Sequence, residues 1–129
     1  MTVPARAWGA AVHAEVTVSD GGEITAVAHI PAGHPAFPGH FPGLPVFPAV
    51  GLIDLVHDCA RRARPDLVRV GRIERCRLRG VVAPGDDVSV KLTMTRTGDG
   101  VRCAAKLRTS RGPAADIRLM CHEPPGAGS

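Results

Sequence analysis

Only one stretch of this chain, "AVGLIDLVHDCARRAR" from Ala49 to Arg64, can support a long helix. Pro65 ends it, because a proline bars the residue before it from helical angles. Elsewhere apolar residues alternate. "AVHAEVTVSD" does so through Val12, Ala14, Val16 and Val18, and Gly21 and Gly22 turn it into "EITAVAHI", which predicts an antiparallel hairpin. After the helix, "LVRVGRIERCRLRG" alternates through Val68 and Val70 and shifts phase near Gly71, as a bulge would, which sends Cys76 and Leu78 inward. "DVSVKLTMTR" sets Val88, Val90, Leu92 and Met94 on one face. A turn at Thr97 to Gly100 leads to Val101, Cys103, Ala105 and Leu107, and a turn at "SRGP" leads to a last strand with Ile117, Leu119 and Cys121 on one side. The order is two strands, one helix, four strands.

An antiparallel sheet with one apolar face needs a cover, and this helix, apolar over most of its circumference for two turns, is the one available. The expected class is therefore α+β, a curled antiparallel sheet wrapped around one central helix. The 129 residues, 44% hydrophobic, suit a single domain over 1–129. The tail "EPPGAGS", 123–129, is expected to fray. Sheet edges left open by such a unit predict pairing with a second copy, a homodimer or a multiple of dimers.

No apolar stretch approaches the length of a membrane span, and a charged residue interrupts what would be the apolar part of a leader in "MTVPARAWGAAVHAEV"; the expectation is a cytoplasmic protein without membrane association. Cys59, Cys76, Cys103 and Cys121 stand far apart at positions where an apolar residue also fits, so buried free thiols are expected. The net charge of +4 asks for an anionic partner. Nucleic acid is not expected, because there is no Tyr, one Trp and no recognition motif. Arg61 to Arg79 holds eight arginines against Asp66 and Glu74, a basic surface to which Arg61 and Arg62 contribute, suited to an acidic protein or a phosphorylated carrier, or else simply solvated.

Between Pro31 and Pro48 stand six of the twelve prolines and all three phenylalanines, Phe37, Phe41 and Phe47. The X-Pro pairs at Phe37-Pro38, Phe41-Pro42, Leu44-Pro45 and Phe47-Pro48 make this segment stiff and extended, while Gly39 and Gly43 flank His40 with permissive backbone. A rigid loop holding one imidazole is what a general base requires. Asp54 follows amid Val50, Leu52, Ile53, Leu55 and Val56. Desolvation there would favour its neutral form and poise it as an acid. Asp58, one turn on, either couples to Asp54 or is pinned by Arg61 and Arg62 at i+3 and i+4. Asp54, His57 and Asp58 define no complete ligand set, so no metal and no cofactor is expected.

"FPGHFPGLPVFPAV", followed by an apolar turn and an acid, resembles the active-site motif of the hotdog-fold 3-hydroxyacyl-acyl-carrier-protein dehydratases of bacterial fatty acid synthesis. "RCRLRGVVAPGDDVSVKL" is similar to that family's strand, V-x-P-G-D turn and next strand, and "IRLMC" to its last strand. The resemblance implies a dimeric hotdog fold with His40 as base and Asp54, from the partner subunit, as acid. It further implies loss of water from a carrier-bound 3-hydroxyacyl thioester, in a fatty acid, polyketide or polyene pathway. The backbone N–H groups at Ala49 and Val50 would hold the thioester oxygen, Phe37, Phe41 and Phe47 would line the acyl tunnel, and Arg61 and Arg62 would meet the acyl carrier protein. Ala49 departs from the family's Gly, and Asp58, where the family has Gln, would tune the acid. A hotdog acyl thioesterase, with Asp54 activating water, and a non-catalytic partner subunit of a dehydratase are the alternatives.

Overall fold

The structure is a computed structural model, and it describes residues 13–18, 23–31, 49–67, 69–98 and 100–123. Its elements are β1 (His13–Val18), β2 (Ile24–His29), α1 (Ala49–Ala63), β3 (Arg69–Leu78), β4 (Asp87–Thr97), β5 (Gly100–Thr109) and β6 (Gly112–His122). This is the predicted order. The six strands form one antiparallel sheet in the order β1-β2-β4-β5-β6-β3, and α1 is the one helix among the described residues.

The period-2 pattern decides which face is covered. Val88, Val90 and Leu92 of β4 are buried, as are Cys103 and Leu107 of β5 and Leu119 of β6. They meet Leu52, Leu55, Val56, Cys59 and Ala60 of α1 in one core. Asp87, Ser89, Lys91 and Thr93 alternate onto the solvent side. α1 ends where Pro65 requires, its last turn closed by the Arg64 N–H donating to the Ala60 carbonyl at 2.8 Å.

Two turns show why their residues are there. In the Ala83–Asp86 turn Gly85 takes a φ of +84°, which the third position of a type II turn demands, after Pro84 has set the second. Asp86 accepts from the Ala83 N–H at 2.7 Å. At the β4–β5 hairpin Gly100 has a φ of +146°, and a Cβ there would lie 2.3 Å from the Cys121 carbonyl oxygen, so no side chain fits.

The curled sheet is corrected. β1 and β3 end the sheet as open edges, so it neither closes nor wraps the helix; α1 lies against one face. The reason lies in β3, which carries Arg69, Arg72, Arg75 and Arg77 and has no buried residue along its length. A strand without an apolar face gains nothing by folding over the helix. Register shifts at Val70/Arg72 and Ile73/Arg75 bear out the bulge near Gly71, but Cys76 and Leu78 point outward, Leu78 with 57% exposure. Cys59, Cys103 and Cys121 are buried and Cys76 is exposed, which corrects the expectation of four buried thiols. No helix of the described residues is long and apolar enough to cross a membrane.

Burial pushes the Cys59 thiol up to about 11, and the neighbouring Asp58 carboxylate adds to this. In the native protein a thiol reagent should therefore modify Cys76 rapidly, with Cys59, Cys103 and Cys121 reacting only on unfolding. Mass spectrometry before and after denaturant checks this; rapid modification of a second thiol would contradict the packing.

Several carboxylates are held ionised by arginine. Arg102 holds Glu74 below the usual carboxylate range, with Arg72 assisting. Arg111 does the same for Asp86, and Arg64 for Asp66 and Glu123. A depressed folded-state pKa contributes stability above the unfolded value, lost as pH falls through the lower folded value. Stability from these groups should thus hold across neutral pH and decline below about pH 4, the ordinary carboxylate range. Urea titrations at several pH values should show Glu74→Gln flattening that acid limb.

Candidate functional site

The segment that carries His40, Phe37, Phe41 and Phe47 lies outside the described residues, but both of its flanks are within them. On one side Ile30 follows β2. Its N–H donates to the Asp86 carbonyl and its carbonyl accepts from the Gly85 N–H, each at 2.8 Å. The P-G-D turn thus pins the chain just before the motif begins. Arg111, from the β5–β6 turn, braces this turn through both Asp86 carboxylate oxygens and through the Val81 carbonyl at 3.1 Å. On the other side the motif runs directly into Ala49, the first residue of α1.

α1 buries Gly51, Leu52, Leu55, Val56, Cys59 and Ala60 toward the sheet. At 3.6 residues per turn, this turns Val50, Asp54, Asp58 and Arg61 onto the opposite stripe. Val50 is 47% exposed, and Ala49 and Asp54 are half-buried. The apolar run around Asp54 in sequence is thus divided in space, because alternate members face away from the core. Asp54 and the first-turn backbone of Ala49 and Val50 share one end of the helix, whose unsatisfied N–H groups carry partial positive charge.

Asp58 is pinned by arginine, the second of the arrangements foreseen for it. Arg61 Nη2 donates to Oδ1 at 3.0 Å and Arg62 Nε to Oδ2 at 3.1 Å. Arg62 also donates through Nη1 to the Ala14 carbonyl at 2.7 Å, which ties α1 to β1. The two guanidinium groups expected to meet a carrier are therefore engaged inside the chain. The same holds for Arg64 with Asp66 and Glu123, Arg72 with Glu74, and Arg79 with Asp116.

His57 was not foreseen as a structural residue. It is buried, and its Nε2 lies 2.9 Å from the Leu67 carbonyl, so Nε2 carries the proton and donates. That bond fastens the chain after Pro65 back onto the helix. A polar residue in an otherwise apolar helical run was the sequence signal, but nothing in sequence indicated Leu67. Arg111 was equally unforeseen, since its partner Asp86 lies 25 residues away.

A family profile described as ApeI-like, ApeI dehydratase, matches residues 16–112. Among curated proteins, a 3-hydroxyacyl-acyl-carrier-protein dehydratase FabZ of Methylobacterium radiotolerans is 36% identical over 107 residues, covering 73% of this chain and 68% of the relative. A FabZ of Methylobacterium sp. (strain 4-46) is 34% identical over 107 residues, and the aligned part spans 65% of that relative's length. Among solved structures, the dehydratase heterocomplex ApeI:P from Xenorhabdus doucetiae superposes with a TM-score of 0.68 at 20% identity, covering 86% of this chain and 95% of that one. A hypothetical thioesterase with coenzyme A from Streptococcus pneumoniae superposes with a TM-score of 0.60 at 9% identity, covering 86% and 87%. These structural likenesses are of fold. The expectation of a homodimer that meets an acyl carrier protein is corrected by the first of them, which is a heterocomplex and not a complex with a carrier.

Replacing His57 by Leu should destabilise the protein by about 1–3 kcal/mol, the cost of leaving a buried carbonyl without its donor. Equilibrium urea unfolding measures it; a change near zero would mean that water reaches the Leu67 carbonyl.

Proposed function

Because the chain belongs to the ApeI-like dehydratase family of hotdog-type proteins, we propose that it eliminates water from a 3-hydroxyacyl thioester to give the trans-2-enoyl thioester. The observation that carries the reading is the extent of the family match. Residues 16–112 include the proline-rich segment with His40, the helix start at Ala49 and Val50, and Asp54 within one helix.

Elimination needs a base for the C2 proton and an acid for the hydroxide that leaves C3. In this reading His40 takes the C2 proton. The electron pair of that C–H bond becomes the C2–C3 double bond, and the C3–O bond breaks as Asp54 delivers a proton to the departing oxygen, releasing water. Negative charge on the thioester oxygen during proton removal is met by the N–H groups at Ala49 and Val50, where the helix dipole adds to the attraction. Ala49 supplies an N–H as well as a Gly would, since it sits at helical angles in α1. Phe37, Phe41 and Phe47 supply apolar surface for the acyl chain. Asp58, one turn on, is held by Arg61 and Arg62 on the same helix as Asp54.

A hotdog thioesterase is the second reading, supported by the likeness in fold to the thioesterase with coenzyme A. The product distinguishes the two. Incubated with a 3-hydroxyacyl N-acetylcysteamine thioester, the chain should yield a thioester lighter by one water; a free acid would replace the dehydratase reading by the hydrolase. His40→Ala and Asp54→Asn should each lower turnover on the order of 10²-fold or more while leaving the fold intact, since positioned acid and base groups contribute about that much. The double variant should be little worse than the poorer single one, because both groups serve one elimination. Full activity in either single variant would remove that residue from the mechanism.

A further inference from the structure

On the side of the sheet away from α1, alternation collects the polar residues of β4, β5 and β6. There Lys91 of β4 stands directly opposite Lys106 of β5, and Arg118 of β6 directly opposite Arg75 of β3. Like charges facing each other across a strand pair are destabilising. The acids of this part of the sheet are too few to relieve the conflict. Glu74 is shared by Arg72, Arg102 and Arg118, and Asp116, which stands between Lys106 and Arg77, is bound by Arg79. Arg75, Arg77, Lys91, Lys106 and Arg108 are exposed and form no ion pair among the described residues. A face that had only to stay in water would be better built from interspersed signs.

We propose that this face adsorbs the chain to a surface of anionic lipid headgroups. Its cations form a two-dimensional array: β4 and β3 lie three strand spacings apart, about 14 Å, and Arg102, Lys106 and Arg108 run along β5 over about 20 Å. Headgroup phosphates lie in a plane and meet such an array together, whereas a duplex offers its phosphates along two lines on a cylinder and meets only part of it. No Phe, Tyr or Trp is among the described residues to stack on a base, and the face presents no helix to enter a groove. Ser89, Thr93, Thr95 and Ala104, exposed between the cations, are short, so the longer lysines and arginines reach the headgroups first. The inference runs against the expectation of no membrane association, which rested on the lack of a spanning segment; attraction by charge needs none. α1 lies on the other face of the sheet, so the inference is independent of the reaction assigned to the site.

Lys91 and Lys106 are the only lysines of the chain and supply the reporter. The full chain is mixed at low salt with vesicles of phosphatidylcholine, with vesicles in which about one lipid in three is phosphatidylglycerol, and with a short DNA duplex. It should sediment with the anionic vesicles and not with the neutral ones, and leave them at about 0.5 M salt, where charge is screened within a few ångström. On the anionic vesicles Lys91 and Lys106 should be acetylated by acetic anhydride severalfold less than in the free chain, read by peptide mass. Lys91→Gln, Lys106→Gln and Arg108→Gln together should weaken adsorption on the order of 10²-fold, since each cation near an anionic surface contributes about a fivefold change. Equal binding to both kinds of vesicle, binding to neither, or undiminished acetylation of the bound chain would overturn the proposal. Tighter binding to the duplex than to the anionic vesicles would overturn it in favour of nucleic acid, and a folded triple variant that adsorbs as well as the parent would overturn it too. The vesicle, duplex and acetylation comparisons use the unaltered chain, so they decide the matter even if the triple variant does not fold.

Discussion

Everything in this molecule depends on one helix covering one sheet face. α1 is the only described helix, and among the described residues it is what covers the side of the sheet that carries Val90, Leu92, Cys103 and Leu119. Removing that apolar surface from water at roughly 25 cal/mol per Å² is the dominant favourable term. It fixes the rotation of the helix about its axis. Once Leu52, Leu55, Val56 and Cys59 face the sheet, Asp54 and Asp58 must lie on the other side. The position of the candidate acid is thus a consequence of core packing.

The second constraint is anchorage of the proline-rich segment. Its beginning is held by the two hydrogen bonds between Ile30 and the P-G-D turn, and its end is the first residue of the helix. Arg111 braces the turn from a hairpin far along the chain. Both flanks of that segment are thus fixed by packed elements. Arginine does much of the internal joining: to Asp58 and β1 from Arg62, to Glu123 from Arg64 and Arg96, and to Glu74 from Arg102. The basic net charge therefore overstates the charge on offer at the surface.

β3 is also where pattern reading and structure part. Its alternation of arginine with apolar residues suggested a half-buried strand, yet register shifts at two places break the period and the strand ends as a sheet edge with no buried residue, Val70 alone of its apolar side chains packing partly against the core. Alternation tells which residues share a face; it does not tell whether another layer covers that face. The same limit explains the curled sheet that was expected. An apolar helix and an apolar sheet face predict contact, but how far the strands bend around it depends on the strand order, and the order β1-β2-β4-β5-β6-β3 carries β3 away from its neighbour in sequence.

The sequence by itself determined the elements, the hairpin turns and the helix end, because period, glycine and proline act over a few residues. It also brought His40, Ala49 and Asp54 together as one candidate site through a resemblance along the chain. Tertiary structure alone decided that the sheet is open, that Cys76 and Leu78 face outward, and that Arg61 and Arg62 are spent on Asp58. Only it revealed His57 bound to the Leu67 carbonyl and Arg111 bound to Asp86. His57 with Leu67 and Arg111 with Asp86 join residues 10 and 25 apart, contacts set by the packing of whole elements on which local pattern is silent; Asp58 with Arg61 and Arg62 lies within one helical turn, where the sequence left two arrangements open.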